Sequence, residues 1–136
     1  MIIADTSGLL ALFNRSEPDH GAARDAVALI TEPLVVSPYV VAELDYLVAD
    51  RVGLEAELAV LDELASGAYE LAQFGHDDLA VASEVIARYG DQHIAVADAS
   101  IVVLADRWRT RQIFTLDHRH FDVLRPLSGG RFKLLP

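Results

Sequence analysis

Met1-Ile2-Ile3-Ala4-Asp5-Thr6-Ser7-Gly8 opens the chain, and the order of these eight residues decides the fold. Ile2, Ile3 and Ala4 make an apolar run too short for a helix and suited to a strand buried on both faces of a parallel sheet. A carboxylate ends the run. Two hydroxyl residues and a glycine follow, then Leu9, Leu10 and Phe13 supply the apolar face of a helix. Thr6 or Ser7 is the expected cap of that helix. Asp5 therefore stands where a strand hands over to a helix, and in open α/β sheets ligands bind in the crevice at the carboxyl ends of the strands. Taken alone, Asp5 is equally well read as a strand end or cap; its company further along the chain favours a site.

Outward from this octet, strand and helix patterns alternate. A helix is predicted over 7–13. Ser16-Glu17-Pro18-Asp19 reads as the start of the next, with Ser16 as cap, Pro18 in the first turn and Ala22, Ala23, Ala26, Val27 and Ile30 as its apolar stripe. Leu34-Val35-Val36 is a second strand. Ser37-Pro38 places a cap and a first-turn proline ahead of a helix to about Ala49, with Val40, Leu44, Leu47 and Val48 inward. Residues 54–65 form another helix with Leu54, Leu58, Leu61, Leu64 and Ala65 on one face. A strand is predicted over Tyr69–Ala72, and a helix over 77–89 with Leu79, Ala82, Val85, Ile86 and Tyr89 inward. Gly90-Asp91-Gln92-His93 is a turn, 94–108 a strongly apolar helix, Gln112–Thr115 a strand and Phe132–Leu135 the last strand. No repeat, linker or low-complexity tract interrupts the 136 residues. A single α/β domain over 1–136, with a mostly parallel sheet, is the expected architecture.

Composition narrows the function classes. The chain is 52% hydrophobic, enough for a substantial core. It has no cysteine, which excludes disulfides and thiolate metal sites and fits a reducing cytoplasm. Neither an apolar run of about 18 residues nor a basic-then-apolar leader occurs, so a soluble, cytoplasmic protein is expected. A net charge of −10 argues against nucleic acid, but its distribution is uneven. Residues 1–87 hold 3 Arg against 16 acids, a net of −13; residues 88–136 hold 7 Arg and 1 Lys against 5 acids, a net of +3. The basic part can meet phosphate, or both parts can be ordinary solvated surface.

Most acids fall on polar helix faces; four do not. Asp5 closes an apolar strand. Glu43 borders the stripe of its helix, between Val40 and Leu47. Asp98 shares a helix face with Ile94, Ile101, Ala105 and Trp108. Asp117 follows the strand that ends at Thr115. Partly buried carboxylates must be protonated, paired or bound to a cation, and no obvious buried Arg or Lys partner stands among their sequence neighbours. An oxygen-rich site of this kind suits Mg²⁺ or Mn²⁺, which activates water and neutralises phosphate in an in-line displacement.

Four segments in this order, Ile3-Ala4-Asp5-Thr6-Ser7, Ser37-Pro38-Tyr39-Val40-Val41-Ala42-Glu43-Leu44, Ile94-Ala95-Val96-Ala97-Asp98-Ala99-Ser100 and Thr115-Leu116-Asp117-His118-Arg119-His120-Phe121, give a chain that resembles the PIN domain. Within that family it is similar to the VapC-type ribonuclease toxins of toxin–antitoxin pairs. The resemblance implies a three-layer α/β/α sandwich around a parallel sheet of four or five strands. It implies that Asp5, Glu43, Asp98 and Asp117 form an acidic pocket for one or two Mg²⁺ or Mn²⁺, with Asp117 as an outer or water-mediated ligand. The implied activity is endonucleolytic cleavage of structured RNA such as tRNA or rRNA, which inhibits translation. The implied partners are a second copy of the chain and a VapB-type antitoxin; the apolar faces of 39–65 either seat a partner helix or pack into the core. Arg107, Arg109, Arg111 and Arg119 are the expected phosphate contacts, with salt bridges to the acidic part as the alternative. Thr6, Ser7 and Thr115 are either caps or contacts to a ligand carboxylate or to the scissile phosphate. His93, His118 and His120 read as exposed turn residues, with proton transfer as the minor reading, and Asp91 as a turn residue. Two rivals remain: a phosphohydrolase using Asp5 as nucleophile, which lacks the usual second acid at Ser7, and a PIN-like module that binds without turnover.

Overall fold

The computed structural model describes residues 1–136. Its elements are β1 (Ile2–Ala4), α1 (Thr6–Phe13), α2 (His20–Ala28), β2 (Leu34–Val36), α3 (Pro38–Arg51), α4 (Leu54–Ala65), β3 (Glu70–Leu71), α5 (His76–Arg88), α6 (Val96–Arg107), β4 (Gln112–Phe114), α7 (His118–Phe121) and β5 (Lys133–Leu135). The strands form one sheet in the order β3-β2-β1-β4-β5, and every pairing is parallel. Ile3 pairs with Val35 on one side and Ile113 on the other, so β1 is the middle strand.

All three residues of β1 and of β2 are buried. Successive strand residues point to opposite faces, so helices must cover both, which makes the sandwich three-layered. The edges differ. Glu70 and Leu71 are exposed in β3, and β5 carries an exposed Lys133; short charged edges discourage strand addition. No helix is long and apolar enough to cross a membrane.

Two starts fall where the sequence places them. Ser37 caps α3, its Oγ accepting the Tyr39 N–H at 3.1 Å, with Pro38 in the first turn. β1 passes straight into α1. Several details differ. The second helix begins at His20, not Ser16: residues 16–19 are a turn, tied down by the Ser16 N–H donating to Asn14 Oδ1 at 3.0 Å. The apolar helix begins at Val96, and Ile101 to Ala105 are all buried, so α6 is enclosed nearly all round rather than along one stripe. In α4 the core row is Val60 and Leu64 backed by Ala56, whereas Leu54 and Leu58 are 68% and 52% exposed. Both rows satisfy a four-residue spacing, and the periodicity does not choose between them. In α5 Leu79 is likewise exposed.

Gly8 sets how closely α1 approaches β4. A Cβ there would lie 2.7 Å from the Phe114 carbonyl oxygen and 2.8–2.9 Å from its ring. Backbone cannot yield to that overlap, so Gly8→Ala is expected to destabilise the protein by about 1–3 kcal/mol despite alanine's better helix propensity. Urea denaturation checks this.

Candidate active site

β1 and β4 are neighbours at the point where the strand order reverses: β2 and β3 lie to one side of β1, β4 and β5 to the other. Such a switch point opens a crevice at the carboxyl ends of the two strands. Asp5 follows β1 directly. Asp117 comes just after β4 and is the N-cap of α7. Asp98 is the third residue of α6, which packs against β1. Three of the four expected acids thus meet at one end of the sheet.

Asp5 is 4% exposed. Thr115 Oγ1 donates to its Oδ2 at 2.7 Å, and Ser7 Oγ donates to the same oxygen at 2.8 Å. Each hydroxyl in turn accepts a backbone N–H: Asp117 to Thr115 and Leu116 to Ser7, both at 2.9 Å. With one proton apiece, the hydroxyls aim both at Asp5. The turn after β4 is thereby wired to the carboxylate that ends β1. Burial pushes the Asp5 carboxyl above the ordinary carboxylate range; the bonds from Thr115, Ser7 and the Thr6 backbone oppose this, and the Asp117 charge adds to it.

Asp98 Oδ2 accepts the Ala95 N–H at 3.2 Å, so the carboxylate is anchored at the start of α6. Burial raises its pKa to about 6; the Ala95 N–H and His120 pull it down, while the charges of Asp5 and Asp117 push it up. Asp117 is gripped by its own helix. Oδ1 accepts the His120 N–H at 3.0 Å, and Oδ2 lies 2.9 Å from His120 Nδ1. That ring nitrogen is 4.0 Å from Asp98 Oδ2. Asp98, Asp117 and His120 each offer a ligand atom within 4.8 Å of the others.

No lysine or arginine makes an ion pair with any of the three carboxylates; His120 is the one basic side chain that does. Two of the acids are held above their ordinary pKa by burial and by neighbouring carboxylates: Asp117 acts on Asp5, and Asp5 and Asp117 act on Asp98. A hard divalent cation relieves that crowding, and the donor set of carboxylate oxygens with room for water is the kind such a cation takes. The residues fit the ion that the sequence calls for.

The remaining expected residues lie elsewhere or behave differently. Glu43 is exposed rather than partly buried, because Val40, Leu44 and Val48 take the inward row of α3. Glu43 is also absent from the charges that act on Asp5 and Asp98. Neither Thr6 nor Ser7 caps α1: Asp5 holds the cap position, Ser7 is spent on the network above, and Thr6 Oγ1 is buried without a hydrogen-bond partner. Arg107 is committed to structure. Its Nη2 lies 2.8 Å from Asp78, its Nη1 donates to the Gln73 carbonyl at 2.7 Å, and its guanidinium sits 5.4 Å from the Trp108 ring centre. The Gly75 N–H and Arg107 hold Asp78 below the carboxylate range. Arg107 and Arg109 stand at the far end of α6 from Asp98, roughly 14 Å away along the helix axis. Arg119 is exposed on α7 beside the acids and makes no ion pair. His93 and His118 are exposed, as expected.

His120 is the residue that the sequence undervalues. Its signal is legible afterwards: Asp117 caps a four-residue helix, and a side chain three positions on returns to the cap.

Known proteins resemble the chain in sequence and in fold. The PIN domain model matches residues 2–125. Ribonuclease VapC26 of Mycobacterium tuberculosis is 58% identical over 135 residues, covering 99% of this chain and all of that protein. Among solved structures, VapC20 of Mycobacterium tuberculosis, described as a sarcin–ricin loop cleaving toxin, superposes with a TM-score of 0.81 at 23% identity over 86% of this chain and 90% of its own. FitAcB from Neisseria gonorrhoeae superposes with a TM-score of 0.68 at 21% identity over 98% and 97%.

Proposed function

The chain belongs to the PIN-domain family, among its VapC-type ribonucleases, and from that we propose that it is the toxin of a type II toxin–antitoxin pair: a metal-dependent endoribonuclease that cuts structured RNA and so stops translation. The observation that carries this reading is the meeting of Asp5, Asp98 and Asp117 at the sheet's switch point with no arginine or lysine among them. Mg²⁺ or Mn²⁺ is the proposed ion, held by Asp98 and Asp117 with Asp5 direct or through water. Glu43 joins as a water-mediated contributor from α3, whose capping Ser37 Oγ lies 2.7 Å from Ser100 Oγ of α6.

When bound, the ion supplies an activated water and neutralises charge on the phosphate. The chain's own residues do the rest. Thr115 and Ser7 fix the Asp5 carboxylate in one rotamer, so that it orients what it holds without reorganising. Asp117 is clamped at both oxygens by α7, and the buried wall of α6 keeps bulk water from the back of the crevice. Arg119 is the proposed phosphate contact on the rim. Arg119→Ala is expected to weaken RNA binding at every sequence alike and to lower the salt slope by about 1. A filter-binding titration at several salt concentrations reads both.

The site argues against the phosphohydrolase reading. Asp5 Oδ2 already accepts two hydroxyls and the residue is only 4% exposed, which is poor placement for an in-line attack on a bulky phosphate ester. The test of the whole reading is direct. Purified protein should cut rRNA and tRNA with Mg²⁺ or Mn²⁺ present, stop in EDTA and resume on metal addition; the sarcin–ricin loop, which VapC20 cleaves, is the first defined substrate to try. Cleavage indifferent to EDTA would contradict it.

A VapB-type antitoxin fits a groove of ≈ 530 Å³ between α1, α2, α3 and α4, walled by Leu12, Phe13, Val27, Val48, Val52 and Tyr69. Val52 in its wall and Leu54 two residues on are 52% and 68% exposed, apolar surface available to a partner. An amphipathic antitoxin helix would cover it. A homodimer is proposed for the toxin, and light scattering of the free protein tests it.

A further inference from the structure

Resting on the metal-dependent reading of the site, we propose that His120 is itself a metal ligand, and that its ring nitrogen makes the site prefer Mn²⁺ over Mg²⁺. Nδ1 lies 2.9 Å from Asp117 Oδ2 and 4.0 Å from Asp98 Oδ2. With Asp98 and Asp117 it completes a set of three ligand atoms that all lie within 4.8 Å of one another, a spread one divalent ion can span. The ring is also placed to stay there. His120 is 19% exposed, and its backbone N–H is bonded to Asp117 Oδ1, so the imidazole and the carboxylate belong to one rigid turn.

As a ligand the ring would be neutral, offering the Nδ1 lone pair to the ion and carrying its single proton on Nε2. Mg²⁺ takes oxygen ligands almost exclusively and gives up its waters reluctantly, whereas Mn²⁺ accepts imidazole readily. Replacing a water by a nitrogen therefore favours Mn²⁺. Arg119 and His118, the other basic side chains of α7, are exposed and point no donor at the carboxylates, so neither duplicates the role.

Electron spin-echo spectroscopy on the Mn²⁺-loaded protein tests this without an activity assay. The parent should show directly bonded ¹⁴N modulation that His120→Asn lacks. Mn²⁺ and Mg²⁺ titrations should show the preference for Mn²⁺ falling about tenfold in that variant, with Mg²⁺ affinity little changed. Circular dichroism and a His120→Gln variant control for folding; both variants should behave alike. Mn²⁺ bound by the parent without ¹⁴N modulation would overturn the role of His120 and leave the carboxylate site standing. A parent that binds no Mn²⁺ would overturn both.

Discussion

Asp98→Asn is expected to cut RNA cleavage by at least about a hundredfold and, in the same protein, to raise the stability of the metal-free fold. The two effects share a cause. Asp98 is largely buried beside Asp5 and Asp117, and its pKa of about 6 means that its charged form is disfavoured in the fold. At neutral pH without metal that charge is a liability, and its removal should contribute about 2 kcal/mol, allowing for solvent screening. The pH dependence has a definite sign. Between about 4 and 6 the folded protein holds a proton on Asp98 that the unfolded chain has released, so stability falls as pH rises through that window and is lowest above it. Asp5, also raised, works in the same direction. Urea denaturation in EDTA from pH 4.5 to 7.5 should therefore show the parent weakening toward neutrality and Asp98→Asn weakening less. Added Mn²⁺ should reverse the order, because the parent gains the binding free energy of the ion and the variant does not. A variant that is less stable than the parent in EDTA at pH 7 would mean that the carboxylates are not in conflict.

Thr115→Val should be the most damaging change outside the acids themselves. The side chains are nearly isosteric, so no cavity forms. What disappears is a hydroxyl that donates to Asp5 at 2.7 Å and accepts from the Asp117 N–H at 2.9 Å, at a fully buried position. A lost bond to a carboxylate and an orphaned N–H together should cost about 3 kcal/mol. With Asp5 and the Asp117 turn uncoupled, cleavage should also fall about a hundredfold, the loss expected when a reacting geometry slips by an ångström. Thr115→Ser keeps the hydroxyl and should recover most of both. If Thr115→Val cleaves like the parent, the network around Asp5 is packing and nothing more.

How much of this was legible in the sequence follows from what each residue depends on. Asp5 and Asp117 could be placed because a parallel strand ends where its crevice begins, and a short apolar run followed by an acid states that locally. The Ser37-Pro38 start of α3 is equally local. Asp98 carries a different signal, an acid inside an apolar stretch, although α6 is enclosed nearly all round rather than along one stripe. The misses needed information from across the fold. Val40, Leu44 and Val48 turn inward as their spacing predicts, but helix spacing leaves a bordering position open, and only packing shows that Glu43 is exposed. The same ambiguity exchanged Leu54 and Leu58 for Val60 in α4. Arg107 could not be separated from Arg119 by charge alone; its partner Asp78 is on another helix. The link from Thr115 to Asp5 spans 110 positions. Histidines in arginine-rich turns are usually solvated, and the three-residue spacing from Asp117 to His120 becomes a signal only once Asp117 is known to cap α7.

Anomalous diffraction from crystals equilibrated with Mn²⁺ tests the central claim most directly. A single strong peak should appear between Asp98 and Asp117 at the carboxyl ends of β1 and β4, within reach of Asp5. No peak there at saturating Mn²⁺, or a peak only at some other place on the surface while the three carboxylates stay as they are, would contradict it.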